Sequence, residues 1–213
     1  VLYDDRVNML SAAPSRQSRR TAICEAALDL VAEGGNHALT HQAVDKRLGI
    51  AQGSTSYYFR SRHLLVMGAI THLATLTRSA FTASAGSAPA DDTVEHTVEG
   101  VADVIAAQLD TLLGARRRDV LARYALLPEA GHDEELRVAL AQSLFSPEVA
   151  GNLMASFGAT DSRAAASDLL SLLEGLLFDR LYGTRAELAA GTPESIEDLR
   201  RPVACWLTAL RST

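Results

Sequence analysis

Apolar residues recur three and four positions apart along almost the whole chain, and this spacing predicts a succession of helices. Ile23, Ala26, Ala27, Leu30 and Val31 share one face of a segment from about 16 to 33, which Gly34-Gly35 brings to an end. Thr40 can cap a short helix over 41–48 with Ala43, Val44 and Leu48 inward, and Gly49 supplies the left-handed turn after it. Residues 52–58 make the next short helix. Phe59 is expected to plug the core between it and a longer helix over about 62–82, which carries Leu64, Leu65, Met67, Ile70, Leu73 and Leu76 inside.

Small residues, a proline and acids at 85–92 mark a linker. Beyond it the pattern predicts helices over 92–113 (Val94, Val98, Val101, Val104, Ile105, Leu109, Leu112) and 116–127, the second broken by Pro128. Two more follow at 133–145 and 147–157, separated at Ser146-Pro147. The segment 162–182 is different, because its leucines and Phe178 cover nearly the whole circumference and demand burial on most sides. The last helix opens at Thr192-Pro193 and carries Ile196, Leu199, Val203, Trp206, Leu207 and Leu210, with a kink or break expected at Pro202. No alternating pattern longer than a few residues appears, so the fold class is all-α.

Composition agrees, since 47% of residues are hydrophobic but only 5% aromatic, with Ala and Leu prominent. No run of about 18 apolar residues exists, so no membrane span is expected. The first residues lack the pattern of a signal peptide, and a cytoplasmic location is the expectation. Cys24 and Cys205 have no metal or redox spacing and are expected to be buried small apolar residues. His37 and His41 have a possible ligand spacing but no third ligand, so neither metal nor cofactor is expected.

The net charge of −6 is unevenly spread. Residues 16–63 carry seven basic residues (Arg16, Arg19, Arg20, Lys46, Arg47, Arg60, Arg62) against four acids, whereas 66–213 carry twelve against twenty. A basic head on an acidic body suits a small nucleic-acid-reading unit attached to a larger domain of another kind.

The stretch 40–65 gives that reading its content. Two short helices joined by a glycine turn, with small hydroxyl side chains outward on the second, form a helix-turn-helix suited to a DNA major groove. Residues 19–65 resemble the DNA-binding domain of the TetR family of one-component bacterial regulators. The resemblance rests on Ile23, Ala26-Ala27, Leu30-Val31 and Gly35, then Thr40, Val44 and Leu48-Gly49-Ile50. It continues through Gly53-Ser54, Tyr57-Tyr58-Phe59, Ser61-Arg62 and Leu65. It implies an arm over 1–15, a three-helix DNA-binding domain over 16–62, and a helical effector-binding and dimerisation domain over 63–213.

The resemblance and the side chains imply the same DNA-facing set. Gln52, Ser54, Thr55 and Ser56 would approach base edges, and Gly53 would let the backbone come near. Tyr57, Tyr58 and Arg62 would touch the sugar-phosphate backbone, with Thr40, His41 and Gln42 at the entry of the supporting helix. Most family members carry a larger apolar residue and then a tyrosine where this chain has Thr55 and Ser56, so a common backbone contact is absent here. The resemblance further implies a homodimer through 162–182 and 193–211 and an effector pocket among the middle helices. Candidates for that pocket are His96, Gln108, Arg123, Tyr124, Gln142 and Asn152, lined by Phe145, Met154, Phe157 and Phe178. An arginine inside an apolar helix needs a partner, so Arg123 is expected to meet either Glu174 or an anionic ligand.

The function this implies is a ligand-responsive regulator, a repressor that leaves a palindromic operator when a small, mostly apolar molecule binds. An enzyme is disfavoured, because the sequence has no G-x-S-x-G, no clustered ligating residues and no phosphate-cradling glycine loop. A helical ligand-binding or scaffold protein that has lost DNA recognition is the competing reading, which the absent tyrosine at position 56 keeps open.

Overall fold

The computed structural model describes residues 15–85 and 97–211, and every regular element among them is a helix. α1 (Arg16–Gly34), α2 (His41–Leu48) and α3 (Ser54–Tyr58) form a head with the first turns of α4 (Arg62–Ala85). The body comprises α5 (Val98–Leu113), α6 (Arg117–Leu126), a 3-10 segment (Leu127–His132), α7 (Glu134–Ala141) and α8 (Pro147–Ser156), then the long α9 (Ser162–Tyr182) and α10 (Pro193–Arg211). His96 and the expected arm and linker fall wholly or mostly outside the described residues.

Local chemistry sets many of the helix ends. Ser15, Thr40, Thr97, Asp133, Ser146 and Asp161 each accept a backbone N–H of the first turn of the helix that follows. At α10 the Thr192 hydroxyl accepts from the Ser195 N–H (3.1 Å), with Pro193 in the first helical position. α10 runs through Pro202 without a break, held on both sides of the proline by buried Leu199, Val203 and Leu207. α7 is shorter than expected, ending at Ala141.

The head core is Ile23, Ala27, Leu28 and Val31 of α1, with Leu39, Val44, Phe59, Leu65 and Ile70 packed around them. Phe59 fills the space beneath α3 as its position suggested, and Gly68 on α4 makes room for its ring. A Cβ on Gly68 would lie 2.9 Å from the Phe59 Cζ and closer still to Cε1. Alanine ordinarily favours a helix over glycine by about 1 kcal/mol, but overpacking a buried ring costs about 1–3 kcal/mol. Gly68→Ala is therefore expected to lower the urea midpoint, and a raised midpoint would contradict this packing.

In the body, α10 packs along α5, α8 lies on α9, and α6 returns against α1. α9 is less uniformly buried than its composition suggested. It buries Ala165, Ala166, Leu169, Leu173, Leu176, Leu177 and Leu181, but leaves Ala164, Ser167, Ser171, Gly175 and Phe178 exposed. A buried polar knot ties its end to α10. Arg180 donates to the Leu188 carbonyl (2.7 Å) and to the Ser195 hydroxyl (2.8 Å), and that hydroxyl donates to Asp110 (2.6 Å). Of the two cysteines, Cys24 is buried, and burial pushes its thiol up to about 11. Cys205 is exposed instead, because it lies off the Leu199–Val203–Leu207 face of α10.

Candidate nucleic-acid interface

The turn between α2 and α3 is built on two glycines and one carboxylate. Gly49 (φ 61°) ends α2 and Gly53 (φ 89°) opens α3, both in the left-handed region that favours glycine. Gly53 has no side chain to cap α3, so Asp45 reaches across from α2. Its carboxylate accepts from the Gly53 N–H (2.7 Å), the Thr55 N–H (2.8 Å) and the Thr55 hydroxyl (2.6 Å). Burial pushes the Asp45 pKa up, but these hydrogen bonds and the nearby His41 outweigh it and hold the group below the usual carboxylate range.

This clamp corrects one expectation. Thr55 does not face outward, since it is fully buried and its hydroxyl is spent on Asp45. The outward face of the turn and α3 is instead Gln52, Gly53, Ser56 and Tyr57, with Ser54 half-buried and its hydroxyl donating to the Ala51 carbonyl (2.6 Å). Tyr57 is 67% exposed and stands edge-on to the half-buried Tyr58, with ring centroids 5.2 Å apart. Behind them Arg20 stacks over Phe59 at 4.3 Å and donates to the Tyr58 carbonyl (3.0 Å). On α2, Thr40 and Gln42 are exposed, while His41 is half-buried and its Nε2 meets the Phe59 carbonyl at 2.7 Å.

A second correction concerns Arg62. It faces the body, donating to Glu129 (2.6 Å) and to the Asn36 carbonyl (3.1 Å), and the Asn36 side chain bonds both Arg62 and Glu129. A group held by an acid and two further acceptors is not poised for a phosphate. Arg47 is likewise engaged by Glu33 and Asp29. Among the described residues no acid pairs with Arg16, Arg19, Lys46 or Arg60, which leaves four cations of the head available.

A second junction lies along α6. Arg118 reaches Glu25 (2.5 Å) and Asp29 (3.0 Å) on α1 as well as Asp119, and Glu25 also meets His72 of α4 at 2.5 Å. The stretch from α6 to Glu129 is thus tied to the head at both ends. Asn36 chiefly, with Arg62, holds the Glu129 carboxyl low, and at Glu25 the bonds from His72 and Arg118 outweigh burial to the same effect. Folded-state pKa values below those of the unfolded chain mean that the folded form binds fewer protons. Stability from Glu25, Asp45 and Glu129 is therefore fully present above the unfolded values near about 4 and is lost as pH falls through the lower folded ones. Thermal melts are expected to be flat across neutral pH in this respect and to decline below about pH 4. A melt insensitive to acid in that range would contradict these contacts.

Of the effector candidates, the structure brings Arg123, Tyr124 and Phe178 together. Arg123 is buried and meets Glu174 (2.7 and 3.0 Å) and the Leu140 carbonyl (2.9 Å), so its partner is the acid. The Tyr124 hydroxyl donates to Glu174 at 3.2 Å, and burial followed by that carboxylate pushes the phenol pKa up. Tyr124, Ala125, Leu127, Phe178 and Tyr182 line an open depression of 330 Å³. Phe178 thus stands at the surface, 56% exposed. Gln108 and Phe145 are half-buried, Met154 and Phe157 belong to the core, and Gln142 is exposed. Asn152 lies in a separate open groove of 440 Å³ between α8 and α9, with Gly151, Ala155, Arg163 and Ser167.

Residues 92–209 match the family model described as the tetracycline repressor-like C-terminal domain. The chain belongs to the TetR family. Among solved structures, a TetR-family member from Streptomyces coelicolor A3 superposes with a TM-score of 0.68 at 23% identity, over 88% of this chain and 97% of that one. The multidrug binding protein EbrR is also similar. Its complex with imidazole gives a TM-score of 0.61 at 26% identity, over 88% of this chain and 94% of that one. Its complex with ethidium gives 0.62 at 25% identity, over 88% and 98%. Among curated proteins no sequence matches the chain. The TetR-family fold is that of a regulator with a helical head and a helical body, and in this member no helix among the described residues is long and apolar enough to cross a membrane.

Sequence reasoning missed Asp45, Glu129 and Arg118. Asp45 left a trace, since an acid beside Val44 on the inward side of α2 precedes a helix without its own cap. Glu129 and Arg118 left none, because their partners are 67 and 89 to 93 residues away.

Proposed function

We propose that this protein is a ligand-responsive transcriptional repressor. As a homodimer it binds a palindromic operator through α3 and releases it when a small, mostly apolar effector occupies the body. The observation that carries this is the outward face of Gln52, Gly53, Ser56 and Tyr57, held in place by the bonds of Asp45 to Gly53 and Thr55, in a head where no acid among the described residues pairs with Arg16, Arg19, Lys46 or Arg60. Small polar groups at a helix N-terminus can approach base edges, while Tyr57 and the cations suit the sugar-phosphate backbone.

The exposed α9 stripe Ala164, Ser167, Ser171 and Gly175 supports pairing with a second copy through α9 and α10, since small side chains let helices approach closely. Two heads on one two-fold axis read two half-sites. Effector binding near Arg123 and Tyr124 would act on α6, whose ties through Arg118 and Glu129 pass a shift to α1, Asn36 and Arg62. Such coupling requires only that the effector prefer one of two head arrangements. The likeness to EbrR, a multidrug binding protein, supports a small-molecule effector.

The test is an electrophoretic shift with DNA from upstream of the protein's own gene. The expected result is a salt-sensitive complex of two protomers that Gln52→Ala with Ser56→Ala weakens. Uniform binding to any DNA, unchanged in that variant, would instead support the helical ligand-binding or scaffold reading.

A further inference from the structure

α3 has five residues, too few to hold a helix in isolation, so its direction depends on what grips it. The last four carbonyls of a helix lack an intrahelical partner, and in α3 they are most of those it has. Two side chains from other helices take up the carbonyls at its end. Arg20 of α1 donates to the Tyr58 carbonyl (3.0 Å), and its guanidinium stacks 4.3 Å from the centre of the Phe59 ring. His41, the first residue of α2, brings Nε2 to 2.7 Å from the Phe59 carbonyl. A carbonyl only accepts, so Nε2 is the donor.

His41 and Asp45 lie one turn apart on the same face of α2 and hold opposite ends of α3. The carboxylate takes the N–H groups of Gly53 and Thr55, and the imidazole takes the carbonyl just past Tyr58. Arg20 adds a fixed point on α1. The small helix is thus pinned at both ends and to both neighbours. Tyr57 and Tyr58 are its last residues, so slack at these carbonyls moves their rings most. Arg20 and His41 are themselves half-buried and turned inward, unlike the exposed Gln52, Ser56 and Tyr57.

We propose that Arg20 and His41 are positioning residues for DNA recognition, which aim Tyr57 and the outward face of α3 and do not themselves hold phosphates. This rests on the regulator function proposed above, and it carries a signature of its own. A side chain that holds a phosphate supports binding to every sequence alike and adds to the salt dependence. One that aims the recognition helix supports only the specific site.

The experiment uses the full-length protein and two duplexes, the sequence that the wild type recovers from a random pool and a scrambled version of it. His41→Met removes the donor, whereas His41→Gln returns an N–H near the place of Nε2. Arg20→Met keeps an apolar stem over Phe59 and removes the donor and the charge. His41→Met and Arg20→Met are each expected to bind the recovered sequence roughly tenfold more weakly and the scrambled one as the wild type does. His41→Gln is expected to stay within about threefold of the wild type on both. A loss shared by both duplexes, with a salt slope shallower by about 2 per dimer in Arg20→Met, would make these residues phosphate contacts and overturns the proposal. Equal binding of the recovered sequence by His41→Met and His41→Gln overturns it as well. Amide exchange at Tyr57 and Phe59, whose N–H groups bond the Gly53 and Thr55 carbonyls, is read without DNA. It should quicken in His41→Met and not in His41→Gln, and unchanged exchange counts against the pin. If the wild type recovers no sequence, the regulator function and the positioning role fall together, while the exchange contrast still decides whether His41 holds α3.

Discussion

Replacing Asp45 by alanine is expected to lower the stability of the protein by about 3 kcal/mol and to weaken operator binding more than tenfold. The substitution leaves the Gly53 and Thr55 N–H groups and the Thr55 hydroxyl without their acceptor, in a place where Asp45 and Thr55 are 3% and 0% exposed. Each orphaned buried donor costs about 1–3 kcal/mol, less where relaxation admits water, so about 3 kcal/mol is the net expectation. Binding suffers because α3 has only five residues and no other side-chain cap, and Asp45 sets its angle to α2. Asp45→Asn keeps one acceptor for Thr55 but turns an amide toward a backbone N–H, so its effect is smaller and of the same sign. Urea denaturation and operator titration under native conditions measure the two effects separately. Wild-type stability in Asp45→Ala would show that the carboxylate does not hold the turn.

Tyr57→Ala is expected to do the reverse, sparing stability and weakening operator binding roughly 30-fold. Tyr57 is 67% exposed, and its packing within the head is an edge contact with Tyr58, so its loss leaves no cavity. A hydrogen bond and contact area worth about 1 kcal/mol in each of two heads combine to about 2 kcal/mol, which is roughly 30-fold in affinity. The melting temperature should change by less than about 2 °C, in keeping with a surface substitution. Unchanged operator affinity would move the reading face away from the end of α3.

The contrast between these residues shows what the sequence carried and what it did not. The caps at Thr40 and Thr192, the turn at Gly49 and the plug at Phe59 were legible because each depends on neighbours within a few positions. The pairing of Arg123 with Glu174 was legible as one of two alternatives, since a charge on an apolar helix must find a counter-ion. Thr55 was misjudged because the facing of residues in so short a helix is set by what it packs on, and that is Asp45 of another helix. Arg62 was assigned to DNA from its place in the motif. Its partner Glu129, in the 3-10 segment after α6, is a long-range contact with no local signature. The exposed end of α9 was hidden by composition, because leucines all round a helix do not reveal which sector lacks a neighbour.

Of the seven basic residues in the head, Arg20, Arg47 and Arg62 are committed to contacts within the protein. With four cations of each head unpaired by an acid among the described residues, the proposed dimer would neutralise at most about eight phosphates, and the slope of log affinity against log salt is expected to be no steeper than about −7. Specificity must then come chiefly from the docked face of α3.

The most direct test of that claim is selection of bound sequences from a random pool of duplex DNA by the purified full-length protein. The account predicts enrichment of one sequence with two-fold symmetry, its half-sites about one helical turn apart or a multiple of that, and loss of the enrichment in Tyr57→Ala. A pool that stays random, or a preference that survives Tyr57→Ala unchanged, would contradict it.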